Sequence, residues 1–391
     1  MTEVRRTRVL HVITRLIRGG ADENTVFTVE GMDPDRYEAF ILAGRGSEPE
    51  GFSPLVQACT TILPELVRDP HPLHDLVALW KLTRMMRRGR YDIVHTHTAK
   101  AGFLGRLAAR WARVPHVVHT LHGVTFHDHV HPLVRAFYVW LERVAAPCCD
   151  VLISVGEDVK RKYLDEAIGR SDQYVTIPSG MDTAPFREAR ERPECGRVPV
   201  RAHFGFTDDD VVVGMVSRLE PRKGYRFLFE AIARLAPDFP HLRALVVGEG
   251  DERRELERLA ASRGIADRVR FAGYRADVAG AIAAFDVAVL TSLWEGLPRV
   301  LVQYSLLERP IVTFEVEGSR EVVEDGASGY VVPLRDVDAL VDRLRRLVAN
   351  AELRAEFGRR ARERVEGRWD VEIMVRRIAE VYEEVGSVLP R

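Results

Sequence analysis

Thr291-Ser-Leu-Trp-Glu-Gly-Leu-Pro-Arg-Val-Leu-Val-Gln303 follows the apolar run Val287-Ala-Val-Leu290. A short Val-rich run bounded by polar residues predicts a strand buried on both faces of a parallel sheet. Pro298 suits the first turn of a following helix, where a missing N–H costs nothing. Glu295 and Gly296 then fall on the loop at the C-terminal edge of that strand, where open α/β sheets bind ligands. Gln303 comes eight positions after Glu295, about two turns down a helix. Two polar side chains so placed would grip an elongated ligand at two points. A capping carboxylate and a surface glutamine are the plainer alternative, and the neighbouring turns decide between them.

Those turns repeat the arrangement. Val211–Val216 is a predicted strand, and Ser217-Arg-Leu-Glu-Pro-Arg-Lys-Gly224 leads from it into an amphipathic helix, Tyr225–Leu235. Arg218 and Lys223 offer a forked guanidinium and a mobile ammonium near a helix N-terminus, which suits a diphosphate. The order of residues is not that of a Walker loop. Leu245-Val-Val-Gly-Glu-Gly-Asp251 is a further strand-to-helix turn; Arg253 stands where a nicotinamide fingerprint needs its third glycine. Val269–Tyr274 gives another strand and loop, where backbone groups would meet a nucleotide base. Ile311–Thr313, the turn Glu317-Gly-Ser-Arg-Glu321 and Gly329–Val332 follow, then helices over Val337–Ala349 and Glu352–Val365. A last amphipathic segment, Asp370–Val385, is long enough to return to the first half.

The N-terminal half has the same rhythm. Arg8–Thr14 reads as a strand, Gly19-Gly20 as a turn whose N–H groups face a ligand, and a helix begins near Asp22. Predicted strands at Tyr37–Ala43, Thr60–Leu63, Ile93–Thr96, His116–Leu121 and Val151–Val155 alternate with helices at Leu73–Arg88, Lys100–Ala112 and Leu133–Ala145. This alternation predicts parallel sheets with helices on both faces. Histidines crowd the strand ends: His95, His97, His119, His122, His127, His129 and His131. No zinc signature accompanies them, so one or two are expected to face a ligand and the others to cap loops. His122, followed by Gly123 at a strand end, is the best placed. The helix Leu73–Arg88 closes on Trp80-Lys-Leu-Thr-Arg-Met-Met-Arg-Arg88, basic on one side and apolar on the other. That pattern fits peripheral contact with an anionic membrane through 73–90, as well as an ordinary core-facing helix.

Between the halves, Ile177–Phe186 breaks the periodicity and Arg187–Pro199 is charged and aperiodic. This marks a boundary between a domain at 1–185, rejoined by a helix at 370–386, and one at 186–369. A chain of 391 residues can bury two such cores. The formal charge of −1 gives no electrostatic reason to expect nucleic acid. Cys59, Cys148, Cys149 and Cys195 form no paired or ligand spacing, which predicts free thiols in the cytoplasm. No stretch reaches the ~20 apolar residues of a membrane span, and Met1–Arg8 has no apolar signal core.

Gly19-Gly20, His119-Thr-Leu-His-Gly123, Ser217–Gly224, Val247-Gly-Glu-Gly250 and Glu295-Gly-Leu-Pro298 together resemble the GT-B retaining glycosyltransferases of family 4. The likeness spans nearly the whole chain. It implies an α/β fold of two Rossmann-like, doubly wound domains facing across a cleft, with a nucleotide sugar held mainly by the second. By position, Arg218 and Lys223 would bind the diphosphate and stabilise the departing nucleoside diphosphate. Glu295, with Gly296 and Leu297, would hold sugar hydroxyls, and Gln303 would face the ribose. Gly19 and Gly20 would close over the phosphates, and His122 would sit beside the sugar. Glu249, Gly250 and Tyr274 fall on the donor side, His97 and Lys100 on the acceptor side.

One position departs from the family: its second Glu, eight after the first, is here Gln303, which keeps hydrogen bonding to ribose but brings no charge. The resemblance implies a retaining, hexosyltransferase-type enzyme of polysaccharide, glycolipid or natural-product glycoside assembly, with no cofactor and no metal. A lipid-linked sugar, a free sugar or a small molecule would be its acceptor. A sugar-nucleotide epimerase on the same architecture, and a weakly catalytic sugar-nucleotide binding subunit, are the alternatives.

Overall fold

The computed structural model describes residues 5–17, 21–126, 130–192, 194 and 197–387. Contacts divide the chain into two units: one runs to Met181 and resumes at Asp370, the other spans Asp182–Trp369.

The first unit opens with β1 (Thr7–Ile13), α1 (Ala21–Gly31), β2 (Tyr37–Gly44), α2 (Pro54–Cys59), β3 (Thr60–Leu63) and α3 (Pro72–Gly89). It continues with β4 (Ile93–His97), α4 (Ala99–Ala112), β5 (His116–Leu121), α5 (Pro132–Ala145), β6 (Val151–Ser154), α6 (Glu157–Asp165) and β7 (Tyr174–Thr176). The second unit holds α7 (Ala184–Glu191), α8 (Arg197–His203), β8 (Val211–Val216), α9 (Tyr225–Leu235), β9 (Leu242–Val247), α10 (Arg253–Ser262) and β10 (Val269–Gly273). After α11 (Val278–Ala283) come β11 (Val287–Leu290), α12 (Arg299–Leu306), β12 (Ile311–Phe314), α13 (Ser319–Val322) and β13 (Gly329–Val332). Helices α14 (Val337–Ala349) and α15 (Ala351–Val365) complete it, and α16 (Val371–Ser387) lies in the first unit.

Each unit is built on one parallel sheet. The orders are β3-β2-β1-β4-β5-β6-β7 and β10-β9-β8-β11-β12-β13. The direction of winding therefore reverses between β1 and β4, and again between β8 and β11. Such switch points leave a crevice at the C-terminal strand ends, where this architecture binds ligands. β11 and β12 are buried along their whole length, as the unbroken apolar run predicts for β11.

Helix α16 explains why the C-terminus returns. Its stripe Met374, Val375, Ile378, Val381, Tyr382 and Val385 is buried with Val9, Ile93, Val118 and Ile153 of the first sheet. Ion pairing of Arg36 with Glu383 at 2.7 Å adds a surface tie.

The segment expected to be an aperiodic linker is corrected: it contains α7 and α8. Arg197 and Arg201 of α8 both grip Asp286, at 2.8 and 3.0 Å, and donate to the carbonyls of Ala283, Ala284 and Phe285. Those bonds reach more than eighty residues along the chain, so no local periodicity announces the helix. Pro199 is tolerated because it lies in the first turn. Pro298 also differs from expectation, standing just before α12 as its cap residue. Of the eight steps from Glu295 to Gln303 only the last five residues are helical, so the two side chains are not two helical turns apart.

Candidate active site

The loops at the β8/β11 switch point are fastened to each other through backbone carbonyls. Thr291 Oγ1 donates to the Lys223 carbonyl at 3.1 Å, and the Leu293 N–H donates to the Arg222 carbonyl at 2.8 Å. Gly224 sits at φ +68, and a Cβ there would stand 2.2 Å from the Thr291 carbonyl oxygen. Only glycine lets the two loops approach this closely.

This fastening brings Lys223 to Glu295. The ammonium is bonded to Glu295 Oε1, and both side chains are 12% exposed. Arg222 Nη1 lies 3.7 Å from Glu295 Oε2, while its Nε bonds Glu220 Oε2 at 2.9 Å. Arg218 Nη2 meets the other Glu220 oxygen at 2.8 Å. Cation and carboxylate thus alternate from Arg218 through Glu220, Arg222 and Glu295 to Lys223. Burial pushes the Glu220 carboxyl up, but the bond from Arg222 and the charges of Arg218, Arg222 and Lys223 outweigh it and hold the group below its ordinary range. Arg218 is the solvent-facing end, 71% exposed.

The rest of the donor-side candidates surround this run. The turn after β9 lies against the turn after β8: Leu219 N–H donates to the Glu249 carbonyl at 2.8 Å, and a Cβ on Gly250 would be 2.4 Å from the Leu219 oxygen. Glu249 Oε1 lies beside Gly273, next to Tyr274, whose ring is 68% exposed. Gly318 stands over Leu297 and Gly296 so closely that a Cβ would come within 2.8 Å of Leu297 Cδ1. Glu317 Oε2 accepts from the Glu295 N–H at 3.5 Å. Gln303 is half-buried on α12, whose next residue, Tyr304, accepts the Val216 N–H at 2.8 Å and so ties the helix to the end of β8.

In the first unit, His11, His97 and His122 form a ladder. His11 Nδ1 and His97 Nε2 are 3.1 Å apart, and His97 Nδ1 and His122 Nε2 are 3.2 Å apart. Burial lowers the His11 pKa to about 3 and holds His97 well below its ordinary value, so both rings are neutral. His97 is buried and supports His122 where the sequence suggested an acceptor contact. The expectation that the spare histidines cap loops is corrected in part. His95 and His119 are core residues, bonded to Tyr382 with Thr120 and to Thr96; His131 does cap, at the start of α5. His11, His95 and His97 bring ring nitrogens within 4.8 Å of one another, but both His95 nitrogens are spent on Tyr382 and Thr120. Lys100, at the start of α4, pairs with Asp75 at 2.6 Å. Gly19, Gly20, His127, His129 and Cys195 lie outside the described residues.

Glu220, Arg222, Glu317 and His11 were not singled out in the sequence. The motif Ser217–Gly224 contains the first two, and the alternation of sign within it was the available signal. Asp208-Asp-Asp210 is a turn before β8, with Asp210 Oδ2 accepting the Thr207 N–H at 2.8 Å and Oδ1 3.2 Å from Arg243.

Residues 6–180 match the family described as Glycosyl transferase 4-like domain, and residues 199–364 match Glycosyl transferases group 1. The UDP-Gal:alpha-D-GlcNAc-diphosphoundecaprenol alpha-1,3-galactosyltransferase of Escherichia coli is 31% identical over 73% of this chain and 73% of its own length. A phosphatidyl-myo-inositol mannosyltransferase of Mycolicibacterium smegmatis is 31% identical over 78% of this chain and 75% of its own. The fold is that of Anabaena HepE, solved with UDP-glucose, at a TM-score of 0.78 and 23% identity over 97% of this chain and 100% of that one. With the two Rossmann-like sheets and the charged turns at the switch point of the second, these likenesses agree: the chain belongs to the group 1 glycosyltransferases of GT-B fold, enzymes that take their sugar from a nucleotide sugar.

Proposed function

We propose that this glycosyltransferase moves a hexosyl-class sugar from a nucleotide-diphosphate donor to an acceptor hydroxyl with retention of anomeric configuration. The alternating run from Arg218 to Lys223 and Glu295 is the observation that supports it. Breaking the anomeric C–O bond sends charge onto the diphosphate, and cations already fixed at that place stabilise it without reorganising. The Lys223 ammonium has three N–H donors, enough to hold Glu295 and a phosphate oxygen together. Glu295, steadied by Lys223 and by Glu317 at its own N–H, offers oxygens in a defined place to sugar hydroxyls. Gln303 serves the ribose, and His122, steadied by His97, serves the sugar.

The same cations do the work of a Lewis acid, so we propose transfer without a metal or other cofactor. The two relatives are named for acceptors on lipids, an undecaprenol diphosphate and a phosphatidyl-inositol. We carry that class over to this chain and place its work in polysaccharide or glycolipid assembly. A cytoplasmic location, with 73–90 against the inner face of the membrane, completes the reading. The free thiols of Cys59, Cys148 and Cys149 are consistent with it.

The test is incubation of the protein in EDTA with a panel of radiolabelled UDP-sugars and a polyprenyl-diphosphate-linked sugar. A new glycoside whose anomeric configuration matches the donor, read by NMR, is expected. Epimerised sugar formed without acceptor, tight binding without turnover, or activity restored only by magnesium would each overturn the part of the proposal it addresses.

A further inference from the structure

Three histidines of the first unit step from the middle of its sheet to the C-terminal edge. His11 lies inside β1, in register with Ile41 and His95. His97 is the last residue of β4, and His122 follows the end of β5. The rings of His11 and His97 are 12° from parallel, with centres 5.3 Å apart. Since His11 Nδ1 and His97 Nε2 are only 3.1 Å apart, the rings meet edge to edge and the bond runs in their planes. The His97 and His122 rings are tilted by 34°, and His97 Nδ1 comes within 3.2 Å of His122 Nε2.

Each of these contacts needs one proton between its two nitrogens, and a neutral imidazole carries only one. Burial keeps His11 and His97 neutral. His97 therefore donates to one neighbour and accepts from the other, so both bonds point the same way. With three neutral rings only two proton patterns satisfy them: every ring protonated on Nδ1, or every ring on Nε2.

The inner end of the ladder selects the pattern. His11 Nε2 is fully buried and has no hydrogen-bond partner among the described residues. The neighbouring His95 ring offers it none, because both His95 nitrogens bond Tyr382 and Thr120. The Nε2 pattern would strand an N–H at this place. The Nδ1 pattern strands only a lone pair, and a buried donor without an acceptor is the rarer of the two.

We propose that His11 is a positioning residue of the transfer reaction: through His97 it fixes the tautomer of His122, with Nε2 as acceptor and Nδ1 as the proton-bearing edge. Which nitrogen of a histidine carries the proton is set by the bond the other makes, here relayed across two rings. This rests on the reading that places His122 beside the sugar. There the Nδ1–H is a donor for a sugar hydroxyl. Neutral rings supply that donor without setting a cation next to a sugar that turns positive as its bond breaks. The one lone pair of His122 is engaged by His97, so the ring acts as a donor and not as a base.

Heteronuclear NMR of isotope-labelled histidine rings reads the tautomers directly in the wild type. Near neutral pH, His11, His97 and His122 should each carry the proton on Nδ1. An Nε2–H form at any of the three overturns the proposal. Kinetics test the role of His11. In His11→Phe the ring fills the same space but cannot donate, and kcat/KM for transfer should fall about tenfold, as for the loss of one hydrogen bond. UDP, which lacks the sugar, should bind this variant as it binds the wild type. The double variant His11→Phe/His97→Phe should lose no more than His97→Phe alone, because His11 acts only through His97. Wild-type kcat/KM in His11→Phe, an equal loss of UDP affinity, or additive losses in the double variant would each overturn the proposal. Transfer by a wild type in the Nε2–H form sinks this proposal alone. The Nδ1 pattern in a protein that forms no glycoside with any donor sinks the transferase reading and, with it, the part of His11 in transfer.

Discussion

The ammonium of Lys223 is bonded to the carboxylate of Glu295, 72 positions later in the chain, at the switch point of the second sheet. Both side chains are largely withdrawn from water, at 12% exposure. Each loop therefore holds the other's functional side chain in place, and a change at either end is felt at both.

Lys223→Ala and Arg218→Ala should both cut turnover more than they raise donor KM, because diphosphate charge grows as the bond breaks. One such contact is worth about 2.7–4 kcal/mol in comparable sites. The two variants should part in stability: Lys223→Ala leaves Glu295 with only the distant Arg222, whereas Arg218 is a solvent-facing end. Steady-state kinetics with thermal melts distinguish them. Wild-type turnover in both would remove these residues from the site.

Gly224→Ala should disable the loop without touching a functional side chain. A left-handed conformation costs a non-glycine residue about 1–2 kcal/mol, and the added methyl meets the Thr291 carbonyl at 2.2 Å. Expected are a lower melting temperature and weakened UDP-sugar binding by calorimetry. Unchanged values of both would mean that the two loops are not fastened to each other at Gly224.

Gln303→Glu should be tolerated, since a carboxylate accepts hydrogen bonds from both ribose hydroxyls. Gln303→Ala should raise donor KM while keeping turnover within roughly tenfold, about 1.4 kcal/mol. The Tyr304–Val216 bond keeps α12 in place in either variant. Glu295→Ala should instead lose turnover sharply. The roles are reversed if, at saturating donor, Gln303→Ala is the dead variant and Glu295→Ala the live one.

Asp22, in the first turn of α1, has its pKa raised to about 6, chiefly by burial, against the Ile17 N–H and Arg15, which lower it. A carboxyl raised on folding costs nothing while protonated in both states. Stability is lost as pH climbs from the unfolded value of about 4 through 6, by roughly 3 kcal/mol in full. Asp22→Asn should thus melt higher than the wild type at pH 8, with the gap closing toward pH 4. The amide oxygen can still accept from Ile17. A gap that does not change with pH would show that Asp22 does not titrate as stated.

Much of this site is legible as separate pieces. Glu295, Lys223 and Arg218 lie on loops that follow Val-rich strands, and where such a strand ends follows from local pattern alone. The pairing of Lys223 with Glu295, the part of Glu220 and Arg222 in the charge run, and the support of Glu295 by Glu317 were not. Ion pairs depend on which loops the sheet order makes neighbours, and side chains far apart in the chain carry no local mark of that. The histidines show the same limit: their number at strand ends was plain, but burial made His95 and His119 core residues and His97 a support.

By itself the sequence determined the alternation of strand and helix, the parallel sheets that this alternation implies, and the glycine-bearing turns at their ends. Hydrophobic period and turn chemistry act over a few residues and are written in the chain. Only tertiary structure decided that the proposed linker is helical, because α8 is held by Asp286. It alone decided which side of each amphipathic helix lies inward. Periodicity sorts a helix into two faces but does not say which face meets the core; α16 buries its apolar face, and α5 exposes one.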